Sequence, residues 1–307
     1  MSITRFPHGI SSFGIPVLGA GPIVTTGNVF FVDDSGSDSS SGLSPDEPFK
    51  TLDYAIGRCT ASHGDTIVMM PGHAETTTAI AVDVAGIHIV GLGIGADRPT
   101  ITASTGASDL INITAANCTL ENFNLVGAAS GVTALVDIAA ADTTLVNMSL
   151  SHGAAPGNAV TIASGARARF LGCRWNGTAD GPNFGILFEN ATANACKDFE
   201  VRDCVFNYGL FGLDDAAIGQ VTGTGNVAEG GIIDNCIFSG MVLTALDFNS
   251  SSAAAVRGVI SNCVATANVG LAIATIFDLS SYGPVNLRAT DAVDTASPHH
   301  IPAGTAT

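Results

Sequence analysis

Residues 120–123, Leu-Glu-Asn-Phe, return 25 positions later as Leu-Val-Asn-Met at 145–148, and this short phrase recurs through the middle of the chain. Each copy has an aliphatic or aromatic residue, a spacer, a small or amide residue, and then an apolar or thiol residue. The third positions are separated by steps of 25, 25, 31, 32 and 27 residues. They are Asn122, Asn147, Gly172, Asp203, Asn235 and Asn262. Self-similarity at such a period indicates a solenoid, in which each repeat contacts only its neighbours.

The repeated phrase predicts β-strands. Its residues alternate with period two, and β-branched and aromatic types are frequent. Strands that recur every 25 to 32 residues with no helix between them predict a parallel β-helix, whose coils rise by about 4.8 Å each. Equivalent positions then stack, so that Asn over Asn forms an amide ladder and Cys over Cys fills a narrow interior column. Four cysteines occupy the last position of the phrase, at 173, 204, 236 and 263.

The composition argues against several classes of protein. The chain of 307 residues has a formal net charge of −16, from 11 Lys and Arg against 27 Asp and Glu. This balance opposes nucleic-acid binding, because such proteins contact phosphates with clustered cations. The N-terminus has no apolar signal segment and the chain has no run of 18 apolar residues, so neither export by the general secretory route nor a membrane span is expected.

The seven cysteines are expected to be free and buried. An odd number in an apolar setting favours thiols over a disulfide framework. No Cys-x-x-Cys occurs and no histidine lies near a cysteine at ligand spacing, so the sequence predicts no metal site and no cofactor. Asp33, Asp34 and Asp38 lie in a Gly/Ser-rich loop that lacks EF-hand spacing, and they are expected to bond turn backbone groups.

Residues 28–72 read as an entry module. Residues 29–32 are expected to form a strand, residues 51–59 a short helix with Thr51 at its N-cap, and residues 66–70 a second strand. The run VDDSGSDSSSGLSPDEPFKTLDYAI at 32–56, followed by GDTIVMMPG at 64–72, resembles the opening of right-handed parallel β-helix proteins of the pectate-lyase-like superfamily. The resemblance implies an all-β, single-stranded right-handed parallel β-helix whose open end is capped by the helix.

The chain divides into three segments. Residues 1–27 form an extended arm, interrupted by Gly and Pro yet rich in apolar side chains. Such an arm is expected either to order against a partner surface or to fold back over its own coil, and the sequence favours neither. Residues 28–290 form the β-helix with its capping module, and residues 291–307 form a C-terminal tail.

Carboxylates suited to catalysis are few. A β-helix enzyme that hydrolyses a polysaccharide needs paired carboxylates, and one that acts by elimination needs a base with cations. The candidate pairs are Asp203 with Asp234, and Asp214 with Asp215 in the longest loop. Asp203 is expected to replace Asn in the ladder and Asp234 to be a solvated strand residue, so the sequence assigns no catalytic residue.

The first residues carry the functional indication. Residues 4–12, TRFPHGISS, resemble the TRFP-x-G-V openings of head-associated proteins of tailed bacteriophages. The resemblance implies a non-enzymatic capsid decoration or head-attached protein, assembled in the host cytoplasm and located on the capsid surface of the virion. Its arm would bind the major capsid protein or another head protein, and it would form a homotrimer. The residues expected to contact the capsid are Arg5, Phe6, Pro7, Ile10 and Phe13.

Two other functions stay open at this point. One is a tailspike-like polysaccharide depolymerase or a glycan- or receptor-binding protein, whose partner is a host surface glycan. The other is a bacterial surface adhesin, which the missing export signal disfavours. The β-helix fold serves lyases, hydrolases, adhesins and virion proteins alike, so the fold does not decide between them.

Overall fold

The chain coils into a right-handed parallel β-helix, an all-β fold with almost no helix. A computed structural model describes residues 25–104, 109–127, 131–152, 157–177, 183–189, 196–208, 216–220, 230–241, 244–247 and 258–267. It also describes the strand backbone at 11–12, 15–16, 277–278, 285–291 and 299–300. The predicted fold class is therefore confirmed.

Three rows of parallel strands follow the coil. Row A contains β3 (Val29–Val32), β4 (Thr66–Met69), β7 (His88–Gly91), β10 (Thr119–Glu121), β13 (Thr144–Val146), β16 (Arg169–Leu171), β19 (Glu200–Arg202), β22 (Gly231–Asp234) and the first part of β25 (Gly258–Ala267). Row B contains β5 (Ala74–Thr77), β8 (Thr100–Ala103), β11 (Asn124–Gly127), β14 (Ser149–His152), β17 (Arg174–Gly177), β20 (Val205–Asn207), β23 (Ile237–Met241) and the second part of β25. Row C contains β6 (Ile80–Val82), β9 (Asp109–Ile113), β12 (Ala134–Ile138), β15 (Asn158–Ile162), β18 (Phe184–Phe188), β21 (Ala216–Gln220), β24 (Thr244–Asp247) and β26 (Phe277–Asp278).

A few elements lie outside these rows. A short 3-10 helix spans Gly95–Asp97. The strands β1 (Ser11–Ser12) and β2 (Ile15–Pro16) form an antiparallel pair. Strand β27 (Val285–Asp291) adds to β25 in parallel, and β28 (His299–His300) pairs with β27 in the antiparallel sense.

Five successive coils turn at two corners that have left-handed backbone. Asn117 and Asn122 flank β10, and both have positive φ, at 61° and 59°. The same spacing of five positions recurs along row A, where each pair again has positive φ. These pairs are Asp142 with Asn147, Arg167 with Gly172, Asp198 with Asp203, and Gly230 with Asn235. Asn, Asp and Gly adopt this conformation at little cost, so the polar member of the repeated phrase marks a corner.

These corners correct the strand boundaries expected from the sequence. The patterns at 119–125 and 144–150 predict continuous strands, whereas each is two strands that meet at Asn122 or Asn147. The alternation of apolar residues continues through the corner, so it does not reveal the break. Only the last such segment, β25, is continuous through Asn262.

Apolar side chains from all three rows form one continuous core. In row B the interior column is Ile101, Leu125, Leu150, Trp175, Phe206 and Phe238. Its aromatic rings stack, with centroids 4.3 Å apart for Trp175 and Phe206 and 5.0 Å apart for Phe206 and Phe238. Offset aromatic pairs of this kind contribute about 0.5–1.5 kcal/mol beyond their buried area, which holds successive coils in register.

The predicted amide ladder and thiol column are both present. Asn147 Nδ2 donates to Asn122 Oδ1 at 2.9 Å, and Asn235 Nδ2 donates to Asp203 Oδ1 at 2.6 Å. Gly172 interrupts the ladder between these two pairs. All seven cysteines are free, and those at 173, 204, 236 and 263 form a buried column. Each of these thiols contacts a backbone carbonyl of the preceding coil.

A short helix, α1 (Leu52–Ile56), covers the open end of the coil with buried Leu52, Ala55 and Ile56. It ends before Cys59, which the sequence pattern places on the same helical face. Thr51 is its N-cap residue, as the sequence predicts. Thr51 makes no capping bond with its side chain, and Glu75 Oε2 from β5 accepts the N–H of Leu52 at 2.9 Å instead.

The acidic loop before α1 bonds its own turns, as expected for two of its three aspartates. Asp38 Oδ1 accepts the backbone N–H of Lys50 and of Thr51, at 2.8 and 3.0 Å, and its Oδ2 accepts the Thr51 hydroxyl at 3.0 Å. Asp33 Oδ1 accepts the N–H and the hydroxyl of Ser35. These bonds fix the loop against the first residues of the helix.

Several predicted features lie outside the described residues. They include the loop carboxylates Asp214 and Asp215, the tail beyond the strand β28, and nearly all of the arm. The five arm residues expected to contact a capsid, Arg5, Phe6, Pro7, Ile10 and Phe13, are among them. In the part of the chain that the structure describes, no helix has the length and apolar content needed to cross a bilayer.

Candidate functional site: the outer faces of rows A and C

The outer face of row A carries a chain of ion pairs. Glu200 contacts both Arg169, at 3.4 Å, and Arg202. Arg202 Nη1 in turn contacts Asp234 Oδ2 at 3.0 Å. Positive and negative side chains therefore alternate along this chain of contacts, which joins the successive strands β16, β19 and β22.

Asp234 is an ion-paired ladder residue with no free carboxylate oxygen. Its Oδ1 accepts hydrogen bonds from Ser261 Oγ at 2.6 Å and from Asn262 Nδ2 at 2.9 Å. These hydrogen bonds, and to a smaller extent the charge of Arg202, hold the pKa of Asp234 below its usual value. A carboxyl that is more acidic than usual does not serve as a general acid at neutral pH. Its ion pair with Arg202 is the part of its environment that the sequence did not predict.

Asp203 replaces Asn in the ladder, as the sequence predicts. Its φ of 55° places it at a corner, and it accepts the Asn235 amide. The pair Asp203 and Asp234 is thus close in space, with a backbone bond of 3.1 Å from Asp203 N to Asp234 O, yet each carboxylate is already occupied by structural partners.

Row C presents carboxylates without cations. Its strands β6 to β26 contain no Lys or Arg. Asn112, Asp137, Thr161 and Leu187 lie in register on four successive strands of this row. Their neighbours along each strand, such as Ile111 and Ile113, are fully buried in the core, so the alternation of a strand turns these four positions outward.

Two further polar residues adjoin this column. Asp109 begins β9, and its carboxylate accepts the backbone N–H of Ala134 on the next coil. Asn158 lies in register with Ala134 on the following coil, and its Nδ2 donates to Thr161 Oγ1 at 3.2 Å. We call the group Asp109, Asn112, Asp137, Asn158 and Thr161 the row C patch.

Burial and like charge perturb the carboxyls of the row C patch. Burial raises the pKa of Asp137 to about 6, and the nearby charges of Asp109 and Glu189 add to the effect. Burial also raises the pKa of Asp109 above its usual value. Carboxyls with raised pKa values mark candidate functional sites, because a fully solvated carboxyl keeps its ordinary pKa.

Two acceptor oxygens of the patch are left unpaired. Asn112 Oδ1 and Asn158 Oδ1 are buried and have no hydrogen-bond partner among the described residues. The Asn158 side chain is nearly enclosed, since the residue is 9% exposed. A buried polar atom without a partner is costly, so each of these oxygens lacks a donor that the described residues do not supply.

Sequence reasoning missed the row C patch. The signal that could have found it is a polar residue directly before an inward-facing isoleucine on three successive coils. These pairs are Asn112-Ile113, Asp137-Ile138 and Thr161-Ile162. The repeated phrase spans rows A and B, and the row C strands contain no repeated phrase of that kind.

A polar cavity lies beside the cap. It has a volume of about 230 Å³ and is lined by Asp34, Lys50, Thr51, Ala74, Glu75, Thr76 and Thr77. Buried His73 lies next to it, with Nε2 3.4 Å from Glu75 Oε2. Across the described ranges, no group of three or more His, Cys, Asp and Glu side chains is arranged to hold a metal ion.

Comparison with known proteins defines the fold. No family model matches the sequence, and no curated protein is similar to it. Pectate lyase Pel9A matches with a TM-score of 0.58 and 13% identity, over 90% of this chain and 80% of that one. The Escherichia coli protein YbhC matches with a TM-score of 0.54 and 12% identity, over 98% and 84%. A pectin methylesterase in complex with a hexasaccharide matches with a TM-score of 0.51 and 14% identity, over 89% and 92%.

These matches show that the chain has the right-handed parallel β-helix fold. At 14% identity or less they establish the fold and leave the activity open. The Geobacillus virus E2 protein ORF18 also matches, with a TM-score of 0.39 and 10% identity, which is too distant to argue for a function.

Proposed function

We propose that this chain is a structural, non-enzymatic protein of a bacteriophage virion, attached to the head by its arm and projecting the β-helix outward. The observation that carries the structural role is the row A network, in which Arg169, Glu200, Arg202 and Asp234 satisfy one another along the coil axis. Side chains used in this way stabilise a rod, and the two carboxylates among them are held by structural partners.

The arm supplies the proposed attachment. Its opening, TRFPHGISS, resembles head-associated phage proteins, and its apolar side chains suit a segment that orders against a partner. Arg5 would pair with an acidic group of the major capsid protein or another head protein, while Phe6, Pro7, Ile10 and Phe13 bury apolar area. Assembly as a homotrimer multiplies three weak arm contacts into stable attachment to the capsid surface.

A capsid-binding assay tests this proposal. Purified protein is mixed with capsids that lack it, and the bound fraction is measured after sedimentation. Deletion of residues 2–24 is expected to abolish binding while the circular dichroism of the β-helix is retained. Arg5→Glu is expected to weaken binding at least tenfold, and the charge-matched control Arg58→Glu, at an exposed site of the cap, is expected to leave it unchanged. Full binding by the deleted protein would refute the arm as the anchor.

A second candidate function is a glycan-binding protein or polysaccharide depolymerase. The row C patch favours it, because Asp137 and Asp109 are carboxyls of raised pKa on an outer face. A carboxyl that keeps its proton near neutral pH can act as a general acid in glycoside cleavage. Incubation with host capsule or lipopolysaccharide tests for new reducing ends or unsaturated products. Product formation that disappears in Asp137→Asn would reject the non-enzymatic role.

A further inference from the structure

We propose that the row C patch binds amino sugars, that is, glycan units that present a free ammonium group together with hydroxyls. This inference rests on the glycan-binding alternative and concerns recognition alone, so it holds whether or not the bound glycan is cleaved. It assigns a ligand class to a face that the row A network and the arm do not use.

The first argument is the excess of hydrogen-bond acceptors. When ionised, the carboxylates Asp109 and Asp137 can only accept hydrogen bonds, and the unpaired atoms Asn112 Oδ1 and Asn158 Oδ1 are acceptors as well. Thr161 Oγ1 already accepts a hydrogen bond from Asn158 Nδ2. A patch of this composition is completed by a ligand rich in donors. Ammonium groups provide three donors each and sugar hydroxyls provide one.

The second argument is charge. Asp109, Asp137 and Glu189 interact electrostatically, and no Lys or Arg occurs in the strands of row C to balance them. The whole chain adds a net charge of −16. Such a field attracts a cationic ligand and repels uronates or sulfated sugars. The row A face differs in this respect, because Arg169 and Arg202 neutralise its carboxylates.

The third argument is shape. The column from Asn112 to Leu187 crosses four coils, a span of about 14 Å at the spacing of parallel strands. Only its first two positions, Asn112 and Asp137, are partly exposed, whereas Thr161 and Leu187 are 5% and 6% exposed and close the column. Small-molecule sites place a few polar groups beside buried apolar side chains in this manner. The partly exposed end suits one sugar unit of a glycan at a time.

Titration calorimetry with the full-length protein tests the proposal. The ligands are a glucosamine tetramer, its fully N-acetylated counterpart and a galacturonate tetramer, each at pH 6.5 with EDTA present. We expect the glucosamine tetramer to bind at least tenfold more tightly than the acetylated one, and the galacturonate tetramer not to bind. We also expect affinity for glucosamine to fall from pH 6.5 to pH 5, because Asp137 is then protonated.

Two Asp→Asn variants locate the site. Asp137→Asn is expected to lower affinity at least tenfold, and Asp234→Asn, which removes the same charge from row A, to leave affinity unchanged. Thermal unfolding of both confirms that they are folded. Equal binding of the acetylated tetramer, binding of galacturonate, no binding of any ligand, or wild-type affinity in Asp137→Asn would each overturn the proposal. Product release without these affinities would support the depolymerase and still overturn this inference.

Discussion

At the residue scale, the polar member of the repeated phrase performs two tasks. Asn122 and Asn147 adopt positive φ and so allow the chain to turn a corner, and their side chains also join successive coils. Asn suits both tasks because it tolerates the left-handed region and its amide both donates and accepts. Gly172 retains the first task and loses the second, which leaves a gap in the ladder.

Gly172→Asn is therefore expected to stabilise the protein. Gly172 has φ of 66°, which Asn tolerates, and a Cβ placed there meets no heavy atom within 4 Å. The new amide can donate to Asn147 Oδ1, as Asn147 does to Asn122. We expect a gain of about 1 kcal/mol in the free energy of unfolding, from one hydrogen bond and a less flexible unfolded chain. Urea denaturation at unchanged m-value measures it.

Gly172→Ala is the matched control for this prediction. Alanine adds the Cβ without an amide and pays the steric penalty of positive φ, so we expect a loss of about 1 kcal/mol. A loss for the asparagine variant would mean that strain at the corner outweighs the ladder bond, and a gain for the alanine variant would mean that positive φ carries no steric penalty at this position.

The contribution of Asp137 to stability should change with pH in the direction opposite to that of most carboxyls. Its pKa in the folded state is raised to about 6, above the unfolded value of 3.8, so its contribution to stability is greatest below pH 3.8 and is lost as pH rises through 6. The shift corresponds to about 3 kcal/mol at full strength, and we expect about 1 kcal/mol because the carboxyl is only half buried. Asp137→Asn should therefore be more stable than the wild type at pH 7.5 and equally stable at pH 3.5.

Asp234→Asn serves as the counterpart. The pKa of Asp234 is lowered by its hydrogen bonds and by Arg202, so its stabilising contribution is present at neutral pH and is lost as pH falls. This variant should be less stable than the wild type at pH 7.5. If both variants changed the thermal midpoint in the same direction, the environments of the two carboxyls would not differ as we describe.

At the scale of elements, the sequence predicts what repeats and misses what joins the repeats. The repeated phrase predicts the amide ladder and the thiol column, because each depends on one position of one coil, but it does not reveal the corner at that position. The hydrogen bond that caps α1 comes from Glu75, which lies 23 positions after Leu52, and no local pattern connects them. The row C patch is missed for the same reason, since its members are isolated polar residues until stacking brings Asp137 beside Thr161.

The thiol column leads to a prediction about reactivity. Burial raises the pKa of Cys204, and the neighbouring thiols Cys173 and Cys236 raise it further. Cys59 is the least buried of the seven, yet burial and then Asp65 raise its pKa to about 12. The pKa of Cys236 is lowered by a hydrogen bond from Cys204, but this thiol is buried like the rest of the column. Because the reagent must reach a thiolate and six of the seven cysteines are buried, we expect no cysteine of the native protein to react with Ellman's reagent within minutes.

Unfolding provides the control for this experiment. In 6 M guanidinium chloride without reductant, all seven thiols are expected to react, since every cysteine is free. Fewer than seven would reveal a disulfide. Rapid reaction of one thiol in the native protein would show that part of the column opens to solvent on that timescale.

At the scale of the whole molecule, charges that attract and charges that repel one another lie on different parts of the surface. Row A pairs its charges locally, whereas row C and the loops carry most of the net charge of −16. A surface ion pair contributes about 0–1 kcal/mol, and the described pairs are few. The chain has 27 acidic side chains against 11 basic ones, so long-range repulsion is the larger effect.

Added salt is therefore expected to stabilise the folded protein. Between 10 mM and 1 M NaCl the screening length falls from about 30 Å to about 3 Å. Screening at this level removes the long-range repulsion between coils, whereas ion pairs in direct contact lose less of their attraction. The midpoint of thermal unfolding at pH 7.5 should rise across this range. Arg202→Gln tests the cause, because it leaves Glu200 and Asp234 without their shared cation. Its midpoint should be lower at 10 mM NaCl and should rise more steeply with salt than that of the wild type. A midpoint that fell with salt would show that the row A pairs outweigh the net repulsion.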